Sequence, residues 1–256
     1  MTAHDKWIAL QTIATKEILR FSRIWVQTIL PPVITTALYF IIFGNLIGPR
    51  IGEMEGFGYM EFIIPGIVAS YAMFTVFGEC TYGTFFRMEE RKTFDAIIAT
   101  PLNVEDVVAG EIFWGATRAL MTGTVILVIA VAFQLVDSWW TLLVPALSFL
   151  QGLMFAAIAV FVTSLVPSFY TFNHLFTLFI TPMFFFSGVF FPLSRFPVVV
   201  QNLSWIAPLT PVVTLTRALF HGEFHADHLA ALGYIVVVAA VFFALALFTM
   251  RRRLTV

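Results

Sequence analysis

Charge is what this chain has least of. Only 11% of its 256 residues are charged and 60% are hydrophobic, where a soluble domain carries roughly 25% charged residues. That is too little polar material to cover a water-facing surface, so the chain reads as a membrane protein. Lys+Arg 14 against Asp+Glu 15 leaves a net charge of −1. There is no basic stripe of the kind that displaces counterions from nucleic acid, which excludes a nucleic-acid partner. One cysteine, Cys80, excludes an internal disulfide and says nothing of redox compartment. Lysine is scarce as well. Its three occurrences follow Asp5, Thr15 and Arg91, never a glycine, so the G-x-x-x-x-G-K-[ST] phosphate loop is missing. Neither H-E-x-x-H nor G-x-S-x-G occurs. The expectation is a non-enzyme that holds no ATP, metal or other cofactor itself. A secretion signal is also not expected, because Lys16, Glu17, Arg20 and Arg23 stand where its apolar core should be.

What is present is a series of long apolar runs. A spanning helix needs about 20 apolar residues to cross about 30 Å of hydrocarbon. Candidates lie at 25–48, 61–86 and 107–133. Residues 138–194 contain no Asp, Glu, Lys or Arg. As one helix that stretch would reach roughly 85 Å, so the turn residues Pro167, Ser168 and Asn173 divide it into spans at 141–165 and 172–191. The last span, 228–250, ends in Arg251-Arg252-Arg253. Six spans put both termini on one side. Of the 14 Lys and Arg, ten flank that side and only Arg50, Arg195 and Arg217 flank the other. The bias makes both termini cytoplasmic. Ahead of the first span, Trp7, Leu10, Ala14, Ile18 and Phe21 recur at helical spacing opposite Lys16 and Arg20. This reads as a helix over 1–23 lying along the membrane surface, in contact with lipid.

Between the second and third spans stands "RMEERKTFDAIIATPLN", 87–103. It carries six charges (Arg87, Glu89, Glu90, Arg91, Lys92, Asp95), then the small apolar face of Ala96, Ile97, Ile98 and Leu102, with Pro101 ending the helix. Mixed charge beside a small apolar face makes an orientable docking surface, although any cytoplasmic loop also collects charge.

Two ionisable residues fall inside spans: Glu79 and Arg118, each roughly 10–15 Å from the cytoplasmic ends. Similar depth on consecutive helices makes them a candidate ion pair. Thirty phenylalanines include Phe184, Phe185, Phe186 and Phe190 in "MFFFSGVFFP". These rings pack against neighbours and lipid, or line a pathway for an amphiphilic substrate. His221, His225 and His228 form the one ligand-like cluster, yet the polar loop that holds them explains them without a metal. Gly44, Gly48 and Gly52, next to Pro49, read as a helix end. The segment 192–227 is too polar and too proline-rich to span and too apolar for a solvated loop. Pro197, Pro208 and Pro211 divide it into short helices at 197–206 and 211–221, read as a re-entrant hairpin on the outer face.

These residues resemble the membrane-spanning permease subunits of ABC-2 type transporters, which include nodulation-factor and drug exporters. The resemblance covers nearly the whole chain, as one domain over 1–256. "ERKTFDAIIATPLNVEDVVAGE" is similar to the family's cytoplasmic segment, and "TPMFFFSGVFFPLSRFP" with "LTPVVTLTRALFHG" to its fifth span and hairpin. Residues 20–48 look like the first span of bacterial inner-membrane permeases of unassigned substrate. Thr210-Pro211 stands where the family often has Asn-Pro, and Glu111 near a position that is often basic.

The resemblance implies an all-α membrane protein of the type V exporter fold: an interfacial helix, six transmembrane helices and a re-entrant hairpin between the fifth and sixth. It implies a bacterial inner membrane location and a second copy of the chain. Two separate ATPase subunits would carry ATP and Mg, docking on 87–103 as a coupling helix. The cargo it implies is a lipid-linked glycan, a lipid or a hydrophobic drug. The competing expectation is an ion-coupled secondary transporter or channel, which needs more polar groups at mid-membrane than Glu79 and Arg118 supply.

Overall fold

A computed structural model describes residues 29–254, together with Thr15 and Val26. The interfacial helix expected over 1–23, with Trp7, Lys16 and Arg20, lies outside the described residues. Helix α1 (Ile29–Ile51) ends where Gly52 takes φ 78, a conformation glycine reaches without steric cost. A two-stranded hairpin follows, β1 (Glu53–Met54) pairing antiparallel with β2 (Phe57–Gly58). Helix α2 (Tyr59–Glu90) opens with the Glu61 carboxylate accepting the Gly58 N–H at 3.0 Å, a cap that satisfies one of the four donors left open at a helix start.

A corner at Lys92, with φ 49, leads into the short helix α3 (Thr93–Ile98). Asn103 and Asp106 form the capping box that starts α4 (Val104–Ala132). Helices α5 (Trp139–Leu165) and α6 (Thr171–Phe186) follow. A 3-10 turn (Leu193–Arg195) precedes α7 (Val198–Ser204) and α8 (Leu209–His221), which meet at a bend of 88°. Helix α9 (Ala226–Leu254) closes the described chain.

Among the described residues, five helices (α1, α2, α4, α5 and α9) are long and apolar enough to cross a membrane, or six if α7 and α8 count as one broken span. Helix α2 is central, with 72% of its most apolar stretch buried, whereas α1 and α9 have 18% and 17% and stand at the periphery. Against α2 pack α4 and α5, drawn together by small residues. A Cβ on Gly152 would stand 2.7 Å from the Ala116 Cα, and one on Gly115 2.7 Å from the Ala156 Cβ. Backbones this close gain dispersion and weak polar contacts that lipid does not supply.

The connections sort the helix ends into two sets. At one end Phe57 stacks on His221, Trp140 meets Phe224, and the Ser194 hydroxyl donates to Glu55. At the other, the end of α2, the start of α4, the end of α5 and the end of α9 converge around Glu89, Glu105 and Arg253.

Three elements differ from the sequence expectation. The second span does not stop at Phe86 but continues to Glu90, because no glycine or proline stands between Phe86 and Lys92. The separate helix within 87–103 is therefore only Thr93–Ile98. The fifth span ends early: Gly188 at φ 77 stops α6 at Phe186. That leaves α6 about 24 Å long, short of the hydrocarbon thickness. The chain then runs irregularly with Val189 buried against Gly66 of α2.

Candidate functional site

Helix α3 is too short to be stable alone, so its packing defines which side chains it offers. Phe94, Ile97 and Ile98 recur at i, i+3, i+4 and turn inward. Phe94 is 1% exposed, and both isoleucines pack on the main core. Ile98 packs in part on its own core and is, like Leu102, half-buried. The outward face carries Glu90, Arg91, Lys92, Asp95, Ala96 and Pro101, all exposed, with Leu102 half-buried. Lys92 sits 3.5 Å from the Glu89 carboxylate, and the Arg91 guanidinium lies over the Phe86 ring at 5.2 Å.

Two of the six charges belong elsewhere. Arg87 is buried, and Glu89 is engaged by Arg253 at 2.8 Å. Arg87 reaches Glu79 with Nη1 at 3.0 Å and Glu111 with Nε at 2.9 Å, and its Nη2 pairs with the second Glu111 oxygen. The Thr84 hydroxyl donates to Glu111 at 2.7 Å, and the Trp114 indole N–H donates to Glu79 at 3.2 Å. The expected partners Glu79 and Arg118 stand 3.8 Å apart. Among the described residues they are one edge of a cluster of two acids and two bases that ties α2 to α4.

The sequence hides this cluster for a geometric reason. Eight residues on a regular α-helix end about 80° past two full turns, which points Glu79 and Arg87 apart. The Glu79–Gly83 stretch is π-helical, and a π-bulge's extra residue takes back about 100°. The two side chains then share a face. Glu111, legible in sequence only as a charge near a span's start, is the acid that holds Arg87. The available signal is its place seven residues before Arg118 on the same helix.

Beside this cluster, a cavity of about 330 Å³ opens between α1, α2 and α4. Pro31, Pro32, Tyr71, Phe74, Glu79 and Arg118 line it. Of the four candidate pathway rings, Phe184, Phe185 and Phe190 cluster with centroids 5.1–6.1 Å apart, and Phe184 also meets Phe74 at 5.2 Å. Phe186 turns away toward Phe196. The histidines do not converge. His221 stacks on Phe57 at 3.7 Å, while the His225 N–H donates to His228 Nδ1 at 2.8 Å. Among the described residues no group of three or more His, Cys, Asp or Glu is placed to hold a metal.

A bundle of long apolar helices with a small, polar, outward-facing helix at one end defines a multi-pass membrane protein of the transporter class. The chain belongs to the ABC-2 type transporter family, whose model it matches over residues 8–221, and it is a permease of that family. It is 36% identical over 250 residues to the inner membrane transport permease YadH of Escherichia coli (strain K12), covering 94% of this chain and 93% of that one. It is 34% identical over 250 residues to nodulation protein J of Rhizobium meliloti (strain 1021), covering 97% and 94%. A second nodulation protein J, from Rhizobium leguminosarum bv. viciae, is 32% identical over 250 residues, covering 97% and 95%.

Proposed function

We propose that this permease is the membrane subunit of an ATP-driven exporter in a bacterial inner membrane. It works as two copies with two separate ATPase subunits, which hold ATP and Mg and split the nucleotide. The exposed face of Glu90, Arg91, Lys92 and Asp95 is the docking surface, and both termini are cytoplasmic on the same side. The carrying observation is the pairing of that exposed face with the charge cluster beneath it. A push on α3 moves α2 and α4 together, because Arg87 holds Glu79 on one and Glu111 on the other.

Helices α7 and α8, bent by 88°, form the outer re-entrant hairpin. The cargo is amphiphilic, a lipid-linked glycan, lipid or hydrophobic drug. The cavity between α1, α2 and α4 offers a charged floor (Glu79, Arg118) under aromatic walls (Tyr71, Phe74), a combination that suits a polar head on an apolar body. The relative named inner membrane transport permease supports a transport role. An ion-coupled mechanism is less favoured, since Glu79 and Glu111 are engaged by basic partners rather than arranged as a proton relay.

The test is extraction of the tagged chain from its native membrane in mild detergent, with partners identified by mass spectrometry. A phosphate-loop ATPase at equal stoichiometry is expected. A chain that purifies alone and stable, with flux driven by an ion gradient, would overturn the reading.

A further inference from the structure

Helix α9 is peripheral: one face, with Ala231, Ile235, Ala246 and Met250, packs along α5, and the rest is exposed or half-buried. Its last turn is different. Arg253 donates from Nη1 to the carbonyls of Thr163 and Val166, both at 2.7 Å, at the end of α5. Through Nη2 it pairs with Glu89 at 2.8 Å, near the end of α2, and its guanidinium lies over the Phe85 ring at 5.6 Å. Arg251 pairs with Glu105 in the first turn of α4. Glu89 lies just before α3 and Glu105 just after it, so one helix end grips both flanks of the docking segment.

Residues two apart on a helix point about 200° from one another, which is why Arg251 and Arg253 reach opposite flanks. The ordinary role of arginines at a helix end is to hold the end in the headgroup region. Arg252, stacked on Phe248 at 4.4 Å, fits that role. Arg253 does not, because its donors are spent on two orphan carbonyls and a carboxylate. The Arg251–Glu105 contact is exposed and weak; Arg253 carries the grip.

We infer that Arg253 is a positioning residue for coupling: it locks the end of α9 to Glu89, so that movement of the docking segment also drives α9 and α5. This rests on the ATP-driven reading above. Glu89→Gln removes the ion pair and leaves the two carbonyl contacts of Arg253 in place. In the purified complex with its ATPase, a spin label at Val237→Cys, an exposed position on α9, reports the response to ATP trapped with vanadate.

The label is expected to shift in the wild-type background, and the shift is expected to fall about 5-fold or more in Glu89→Gln and in Arg253→Glu. The charge-conserving change Glu89→Asp, which leaves Arg253 and its two carbonyl contacts in place, is expected to retain the shift, a retention that follows from the charge at position 89 and not from the shape of the side chain. A full response in Glu89→Gln overturns the inference, and so does a loss in Glu89→Asp as deep as that in Glu89→Gln. A wild-type label that ignores ATP overturns the ATP-driven reading itself.

Discussion

Reversing two exposed acids, Glu90→Lys with Asp95→Lys, is expected to abolish ATP-dependent activity of the complex while leaving the permease folded and inserted. Among the described residues neither carboxylate makes an ion pair or a side-chain hydrogen bond, so the reversal breaks no internal interaction. The local cost is confined to the first turn of α3, where Asp95 complements the helix dipole, worth about 0.3–1 kcal/mol. At a docking surface the same change sets like charges together and costs several kcal/mol, about a hundredfold or more in affinity. The measurement is ATPase recovery on the tagged permease, with the protein's melting temperature in detergent as control. Undiminished recovery at an unchanged melting temperature would remove this face from the contact.

The second large effect is on stability. Arg87→Gln leaves Glu79 and Glu111, both nearly enclosed, without the guanidinium that bridges them. Breaking a buried ion pair from one side costs about 3–5 kcal/mol, because the remaining charge stays desolvated. Replacing all three groups together, Arg87→Met with Glu79→Gln and Glu111→Gln, is expected to recover most of that loss, since both carboxylates go with the guanidinium. Arg118→Gln is expected to be destabilising as well, since it takes away a charge 3.8 Å from the Glu79 carboxylate. Thermal unfolding in detergent ranks the four proteins. An Arg87→Gln protein as stable as wild type would mean that water enters the cluster and the charges do not depend on one another.

Much of the fold is legible in the sequence because the membrane simplifies the code. Apolar length marks α1, α4, α5 and α9 nearly to their ends, and Pro197 and Pro208 stand just before α7 and α8, whereas Pro211 lies inside α8. The boundaries that differ are conformational in origin. Nothing in composition distinguishes the π-helical stretches Glu79–Gly83 and Phe86–Glu90 from α-helix, yet these distortions decide which way Arg87 faces relative to Glu79. Likewise the charges of 87–103 read alike in sequence, while the structure sends Arg87 and Glu89 inward and leaves Glu90, Arg91, Lys92 and Asp95 outside. Arg253 is one of three terminal positive charges in the sequence, and nothing nearby singles it out, because its partners lie 87 and more residues away in the chain.

The most direct test of the central claim is a photo-activated cross-linker placed at Asp95 in the intact complex, compared with one at Trp139. Both positions are exposed, Trp139 at 88%, and they stand at opposite ends of α4 and α5. The account predicts a covalent adduct with the phosphate-loop ATPase from position 95 and none from position 139. An ATPase that co-purifies yet cross-links only from position 139, or from neither, would contradict it.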